Sequence, residues 1–196
     1  MIDFKYSVDE ALRLDELLSC HLLDTPTEPE FDFISKLAAQ FCGVKYAAIS
    51  LVDKNRQWSK AYYGLSVREV NREYSFCTYA IASPHEVMVV NDAKADPRFK
   101  SNPIVHGEAN IVFYVGVPLV LENNLAIGTL CILHDEAMQI SEEKIDFLKN
   151  LAEQVKALVR LRQKEFQLQQ AAEHSNKVSK LLPGAAFRTD VRSEEH

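Results

Sequence analysis

The stretch that most constrains this chain covers residues 112–134, VFYVGVPLVLENNLAIGTLCILH. Two apolar, β-prone runs, 112–121 and 125–133, flank Glu122-Asn123-Asn124, and an Asn at the tip can take a positive φ. The pattern predicts a β-hairpin. In its first arm Phe113, Val115, Val117 and Leu119 alternate with Tyr114, Gly116, Pro118 and Val120. In its second, Ile127, Thr129 and Cys131 alternate with Gly128, Leu130 and Ile132. Neither set is polar, so both faces should be covered, as in strands at the centre of a sheet. Gly116 and Gly128 would let a backbone or ligand approach closely, and Pro118, which cannot donate to a ladder, belongs at a bulge or strand end.

The rest of the chain reads as material around that hairpin. Its 196 residues suit one ordinary domain plus an extension, and a hydrophobic content of 47% supplies a core. A net charge of -6 argues against a general nucleic-acid binder. No apolar run approaches the roughly 20 residues that span a bilayer, and no cationic apolar leader opens the chain. Cys20, Cys42, Cys77 and Cys131 are widely spaced in apolar surroundings and read as reduced, buried residues of a cytoplasmic protein.

Two helices are expected first: residues 7–23, with Ser7 and Glu10 as a capping box, and residues 29–42, closed by Gly43. The first should bury Ala11, Leu12, Leu14, Leu17, Leu18 and Leu22. A hairpin over 45–53 and 57–63 follows, then a stretch with no long strand, in which Ser75 caps a short helix over 76–81. A strand is expected over 86–91. Residues 92–110 are too long a connection to be idle and, with Phe99, Pro103, Ile104 and Val105 along it, read as an ordered cover on the sheet. A helix then runs from Ser141 to about Lys180. One stripe on it holds Ile145, Leu148, Ala152, Val155 and Val159, and a second holds Leu151, Leu158, Leu161 and Leu168. Beyond Leu161 it is polar and needs a partner helix, so a parallel homodimer through the two terminal helices is expected, with Val155 and Val159 in its seam.

The sequence carries no metal-binding or nucleotide-binding motif and no nucleophile elbow. No catalytic residue and no metal ligand is assigned, and the cofactor is left unknown. His174 reads as a solvated helix residue. Cys77 lies beside the expected pocket, but nothing cationic adjoins it in sequence, which favours a small buried hydrophobe over a redox or adduct site.

Several blocks in fixed order now carry a resemblance: Leu23-Asp24-Thr25-Pro26, Arg56-Gln57-Trp58, Ser75-Phe76-Cys77, Val90-Asn91-Asp92-Ala93, Asp96-Pro97-Arg98-Phe99, Asn102-Pro103-Ile104-Val105, Phe113-Tyr114-Val115-Gly116-Val117-Pro118 and Ile127-Gly128-Thr129-Leu130. From about Leu12 to Arg162 the chain resembles a GAF domain of the bacterial kind found in front of histidine kinases and diguanylate cyclases. Residues 182–190 resemble the entry to a PAS domain. The resemblance implies an α+β fold: a central antiparallel sheet of about six strands, terminal helices on one face, and short helices and loops over a small-molecule pocket on the other. It also implies a layout of a sensory domain over 1–162 (core about 12–160), a helical linker over 163–182, and the truncated start of a following domain over 183–196. Val112 stands where this subgroup commonly has Arg, and Asn124 where Gly is usual.

The residues expected to bind the ligand are Trp58, Phe76, Cys77, Asp92, Phe99, Asn102, Val105, Phe113 and Tyr114, with Asp92 or Asn102 orienting it. The competing reading makes Phe76, Phe99 and Phe113 a second core and Asp92 a turn cap. Functionally the chain is expected to be a regulatory input domain, linked covalently to an output domain outside it. The alternatives are an unliganded dimerisation scaffold and an enzyme like the GAF-fold free-methionine sulfoxide reductases, which rely on a set of cysteines at one site.

Overall fold

The computed structural model describes residues 8–181, with side chains from 9 to 178. In chain order the elements are α1 (Val8–Ser19), α2 (Pro29–Cys42), β1 (Tyr46–Val52), β2 (Arg56–Tyr63), β3 (Glu69–Asn71), α3 (Phe76–Ala80), β4 (Met88–Val90), α4 (Pro103–His106), β5 (Phe113–Val120), β6 (Ala126–His134) and α5 (Glu142–Leu181). The expected cap Ser7 and the PAS-like piece at 182–190 lie outside the described residues. The chain divides into two units between Gln163 and Lys164. The described part of the second unit is the distal portion of α5, whose side chains are exposed apart from the half-buried Phe166.

The strands form one antiparallel sheet in the order β3-β2-β1-β6-β5-β4. The hairpin β5–β6 provides its interior, β6 lies between β1 and β5, and Asn124 at the tip has φ 56°. Both edges, β3 and β4, are three residues long. β3 is the sixth strand, in a stretch that showed no strand signal: its residues, Glu-Val-Asn, are exposed or half-buried and short of β-formers. Among the described residues no helix is long and apolar enough to cross a membrane.

Two bulges set which side chains face where. Between Pro118 and Val120 the β5–β6 register shifts, so Ile127 shares a face with Leu130 and Ile132 instead of opposing them. The expected alternation of the second arm therefore fails at Gly128, and Pro118 sits beside the shift because it has no N–H for the ladder. In β2 the pairing jumps from Ile49↔Ala61 to Ser50↔Ser59, leaving Lys60 as the extra residue. Gly128 lies where the β1 backbone passes: a Cβ there would fall on the Ser50 carbonyl oxygen and 2.9 Å from the Leu51 Cα.

The sheet has a core on each face. On one face α1, α2 and α5 cover Ala47, Ile49, Leu51, Trp58, Ala61, Phe113, Val115, Val117, Leu119, Ile127, Leu130 and Ile132. On the other, α3 and the connection before β5 cover Ala48, Val52, Tyr114, Ala126 and Cys131 with Phe76, Phe99, Val105 and Ile111. In α2, Phe31, Ile34 and Ala38 are buried as their spacing predicts, Leu37 on the same spacing is half-buried and Phe41 exposed, and Gly43 ends the helix at φ 70°.

Two helical expectations are corrected. In α1, Leu17 is buried, but Ala11, Leu12 and Leu18 are exposed while Glu10, Arg13 and Glu16 are buried. Paired charges make that inversion tolerable: Arg13 Nε and Nη2 donate to the Glu10 carboxylate at 2.8 and 2.9 Å, and Arg72 Nη1 donates to it at 2.7 Å. Glu16 Oε1 accepts the amide of Glu122 at 2.8 Å at the central hairpin's tip. On α5, Val155 and Val159 are fully buried in the core of their own domain, so they cannot form a seam between copies. Leu161 and Leu168 of the second stripe are 53% and 71% exposed.

The end of α5 in this unit is anchored by charge. Lys60 is fully buried and its ammonium donates to Thr25 Oγ1 and the Pro26 carbonyl, each at 2.7 Å, and to Glu28 Oε1 at 2.5 Å. Arg162 of α5 pairs with the other oxygen of the same Glu28, and Gln163 donates to Ser19 Oγ at 3.1 Å.

Candidate functional site

Beneath the covering loops, on the face away from α1, α2 and α5, lies a cavity of about 160 Å³. Its floor is the sheet: Ala48, Gln57, Ser59, Tyr114, Cys131 and Leu133. One wall is the start of α3 with Ser75, Phe76 and Cys77, and another is Ile104, Ala109 and Ile111 from the connection before β5. The stretch from Leu65 to Val70 closes the last side, and Val67, Glu69 and Ala109 form an exposed rim. A cavity of roughly 150 Å³ accommodates a benzene-sized molecule.

Ser75 caps α3 through Thr78 N at 3.2 Å, which fixes the direction in which Phe76 and Cys77 leave the chain. Ser75 Oγ donates to Gln57 Oε1 at 2.5 Å, and Gln57 Nε2 donates to Ser50 Oγ at 3.0 Å. Phe76 stacks on Phe99 and on Tyr114, with centroids 4.2 and 5.2 Å apart. The Tyr114 hydroxyl lies over Gly116, where a Cβ would collide with it, and donates to Cys77 Sγ at 3.4 Å. Thr129 Oγ1 donates to the same sulfur at 3.1 Å.

These contacts shift the buried thiols in opposite directions. Burial pushes Cys77 up, but hydrogen bonds from Cys131, Thr129, Tyr114 and Ser50 outweigh it and bring the thiol down to about 7. Cys131 is held well above the usual thiol value, first by its hydrogen bond with Cys77 and then by burial. Burial, followed by the charge on Cys77, raises Tyr114. Cys20 and Cys42, on the helix face, are pushed up by burial to about 12 and about 11. All four cysteines are free.

Of the residues expected around a ligand, Phe76, Cys77 and Tyr114 line the cavity. Phe99 and Val105 are on the same face but fully enclosed in its core. Asp92 and Asn102 serve as caps: Asp92 Oδ1 accepts Lys94 N at 2.9 Å, and Asn102 Oδ1 accepts Ile104 N at 3.0 Å while its amide donates to the Tyr74 carbonyl. Trp58 and Phe113 belong to the opposite core. Successive strand residues point to opposite faces, so Phe113 cannot share a pocket with Tyr114, nor Trp58 with Gln57 and Ser59. That parity was available in the sequence. Leu65, Val67 and Ile111 carried no comparable signal.

A second hollow, an open groove of about 600 Å³, runs between α2 and α5 past Phe33, Ile34, Leu37, Leu151, Leu158 and Leu161. Its breadth and exposure suit a helix better than a small molecule.

Residues 27–159 match the GAF domain family. The chain belongs to that family. Over 155 residues this GAF domain is 36% identical to a cyclic di-GMP phosphodiesterase of Pseudomonas aeruginosa, covering 79% of the chain and 26% of that protein. The chain thus spans about a quarter of that relative's length. The GAF domain of an Acinetobacter phosphoenolpyruvate-protein phosphotransferase superposes with a TM-score of 0.57 at 20% identity, covering 79% of this chain and 95% of that one. A free methionine-R-sulfoxide reductase of Neisseria meningitidis also gives a TM-score of 0.57, at 19% identity, covering 84% of this chain and 98% of its own. At such identities the two structures share a fold with this chain and establish nothing about its chemistry.

Proposed function

We propose that this GAF domain is the cytoplasmic, non-catalytic input module of a larger signal-transduction protein. A small molecule enters the cavity, and the sheet relays its presence through α5 to a covalently linked output domain, of histidine-kinase or cyclic-dinucleotide type. In this reading residues 1–162 are the sensor, 163–182 the helical linker and 183–196 the start of the next domain. Phe76, Cys77 and Tyr114 contact the ligand, while Phe99 and Val105 support them from the core behind.

The observation that carries the proposal is that cavity and helices share one sheet. β1, β2, β5 and β6 wall the cavity with one set of side chains and hold α1, α2 and α5 with the other. A ligand acts on such an element only by differential affinity for two arrangements, typically about 1–3 kcal/mol of coupling. The cavity's size favours a single-ring or short-chain molecule over a dinucleotide. Native mass spectrometry of freshly purified protein is expected to show such an added mass, and Ala48→Leu, which fills the floor, to abolish it. Bare protein, with no thermal shift from any of a set of single-ring compounds, would overturn the ligand reading and leave the scaffold.

The output side requires a partner helix, and the groove beside Phe33 and Leu161 together with the exposed Leu168 supports a second copy in that role. Sedimentation is expected to find a homodimer. Leu161→Glu combined with Leu168→Glu should give folded monomers, because both substitutions sit on the exposed stripe and spare the core. A folded double variant that stays dimeric would place the interface elsewhere.

A further inference from the structure

Cys77 and Cys131 reach the same cavity from different elements, α3 and β6. Their surroundings differ from those of an ordinary buried thiol. Thr129 Oγ1 and Tyr114 Oη both donate to Cys77 Sγ, at 3.1 and 3.4 Å, and Cys131 stands two residues along β6 from that Thr129, in the same core and lining the same cavity. Cys131 Sγ in turn lies 3.8 Å from Ser50 Oγ and donates to the Ala48 carbonyl at 3.5 Å. A sulfur that accepts this many hydrogen bonds is arranged as an anion would be. Packing alone would not call for two hydroxyls aimed at it.

We propose that Cys77 and Cys131 form a hydroperoxide-responsive dithiol in the cavity wall, Cys77 being the sulfur that is oxidised and Cys131 the thiol that resolves it. This goes beyond the input-module reading and does not depend on any ligand occupying the cavity. The Cys77 thiolate attacks the distal oxygen of the hydroperoxide, the O–O bond breaks, and the leaving alkoxide or hydroxide takes up a proton. Cys77 becomes a sulfenic acid. Cys131 then attacks the Cys77 sulfur, the S–O bond breaks, and the thiol proton leaves with the departing hydroxide as water. With hydrogen peroxide the balance is two thiols plus one peroxide giving one disulfide and two waters.

The local electrostatics fit this order. Cys77 is the one lowered thiol of the four, and Cys131 is raised chiefly by its contact with Cys77. Oxidising Cys77 removes the negative charge that holds the Cys131 proton in place, so the second step is released by the first. The exposed rim at Val67, Glu69 and Ala109 gives a small peroxide its entry.

The test uses the reduced, folded chain with hydrogen peroxide, quenched by alkylation and mapped by peptide mass without reduction. A Cys77–Cys131 cross-link is expected, with Cys20 and Cys42 still alkylated, and Cys77 should react on the order of tenfold faster than either. In urea that selectivity should vanish, since the hydroxyl donors are then dispersed. In Cys131→Ser, dimedone should trap a sulfenic acid at Cys77. Thr129→Val and Tyr114→Phe should shift the pH midpoint of Cys77 alkylation upward, which a loss of packing alone would not do. Oxidation of Cys20 or Cys42 ahead of Cys77, or a persistent Cys77 sulfenic acid with no cross-link in the wild-type chain, would overturn the proposal.

Discussion

Glu28→Ala is expected to lower the unfolding free energy by about 3–5 kcal/mol, because it leaves the Lys60 ammonium charged and buried without its counter-ion. Lys60 is fully buried and Glu28 Oε1 is 2.5 Å from it. The remaining acceptors, Thr25 Oγ1 and the Pro26 carbonyl, are neutral. Lys60→Met should do less harm, since it removes the charge along with its desolvation, and the Glu28 left behind keeps Arg162. Urea unfolding of the two variants and their double mutant measures the difference. A loss below about 1 kcal/mol in Glu28→Ala would mean that Lys60 finds water once the carboxylate is gone. The pair also gives the fold an acid limb. Burial raises Glu28, but the hydrogen bonds from Lys60 and Arg162 prevail and hold it below the usual 4.5. Its contribution is therefore complete above pH 4.5 and is lost as the pH falls through the lower, folded value. Glu28→Ala should flatten the corresponding part of the melting-temperature profile.

Gly128→Val is expected to yield no folded protein. A side chain there meets the backbone of β1, the Ser50 carbonyl and the Leu51 Cα, in the middle of the sheet where neither strand can retreat. Overpacking a core ordinarily costs about 1–3 kcal/mol, and more when the obstacle is backbone, against total stabilities of about 5–15 kcal/mol. Gly43→Ala offers the contrast: nothing lies within 4 Å of its Cβ, so only the positive φ of 70° is penalised, by about 1–2 kcal/mol. The soluble fraction and thermal unfolding of the two variants separate collision from backbone strain. A folded Gly128→Val with a near-normal melting temperature would show that β1 and β6 can slide apart locally.

Gly128 also shows what sequence alone could convey. A glycine inside an apolar strand pointed to close approach, and the structure supplies the approaching backbone. The hairpin around it was legible because apolar runs and an Asn-rich tip are local signals. The register shift at Pro118 was half legible: the proline marked the place, but which side chains it would turn over depends on pairing with β6. α1 departs from its apolar pattern because its buried face is made of Glu10, Arg13 and Glu16, whose partners Arg72 and the Glu122 amide come from distant parts of the chain. The same holds for Cys77. Its neighbours in sequence say nothing about its acidity, whereas Thr129 and Tyr114 reach it only once β5 and β6 are in place. Lys60 is a harder case still: a lysine in a strand reads as solvent-facing, and the Thr25, Pro26 and Glu28 that receive its ammonium lie more than thirty residues away in the sequence.

The brevity of β3 and β4 has a consequence for how copies of this domain can meet. An edge strand advertises unpaired amides and carbonyls to any other extended chain, and a long one invites continuation of the sheet into a neighbour. Here each margin offers three residues, and at one of them the Glu69 side chain already pairs with Arg56. Two molecules cannot zip sheet to sheet over so short a run. Self-association by strand addition is thereby disfavoured along both edge strands, which favours helical surfaces for ordered assembly and guards the domain against the open-ended stacking that longer edge strands would permit.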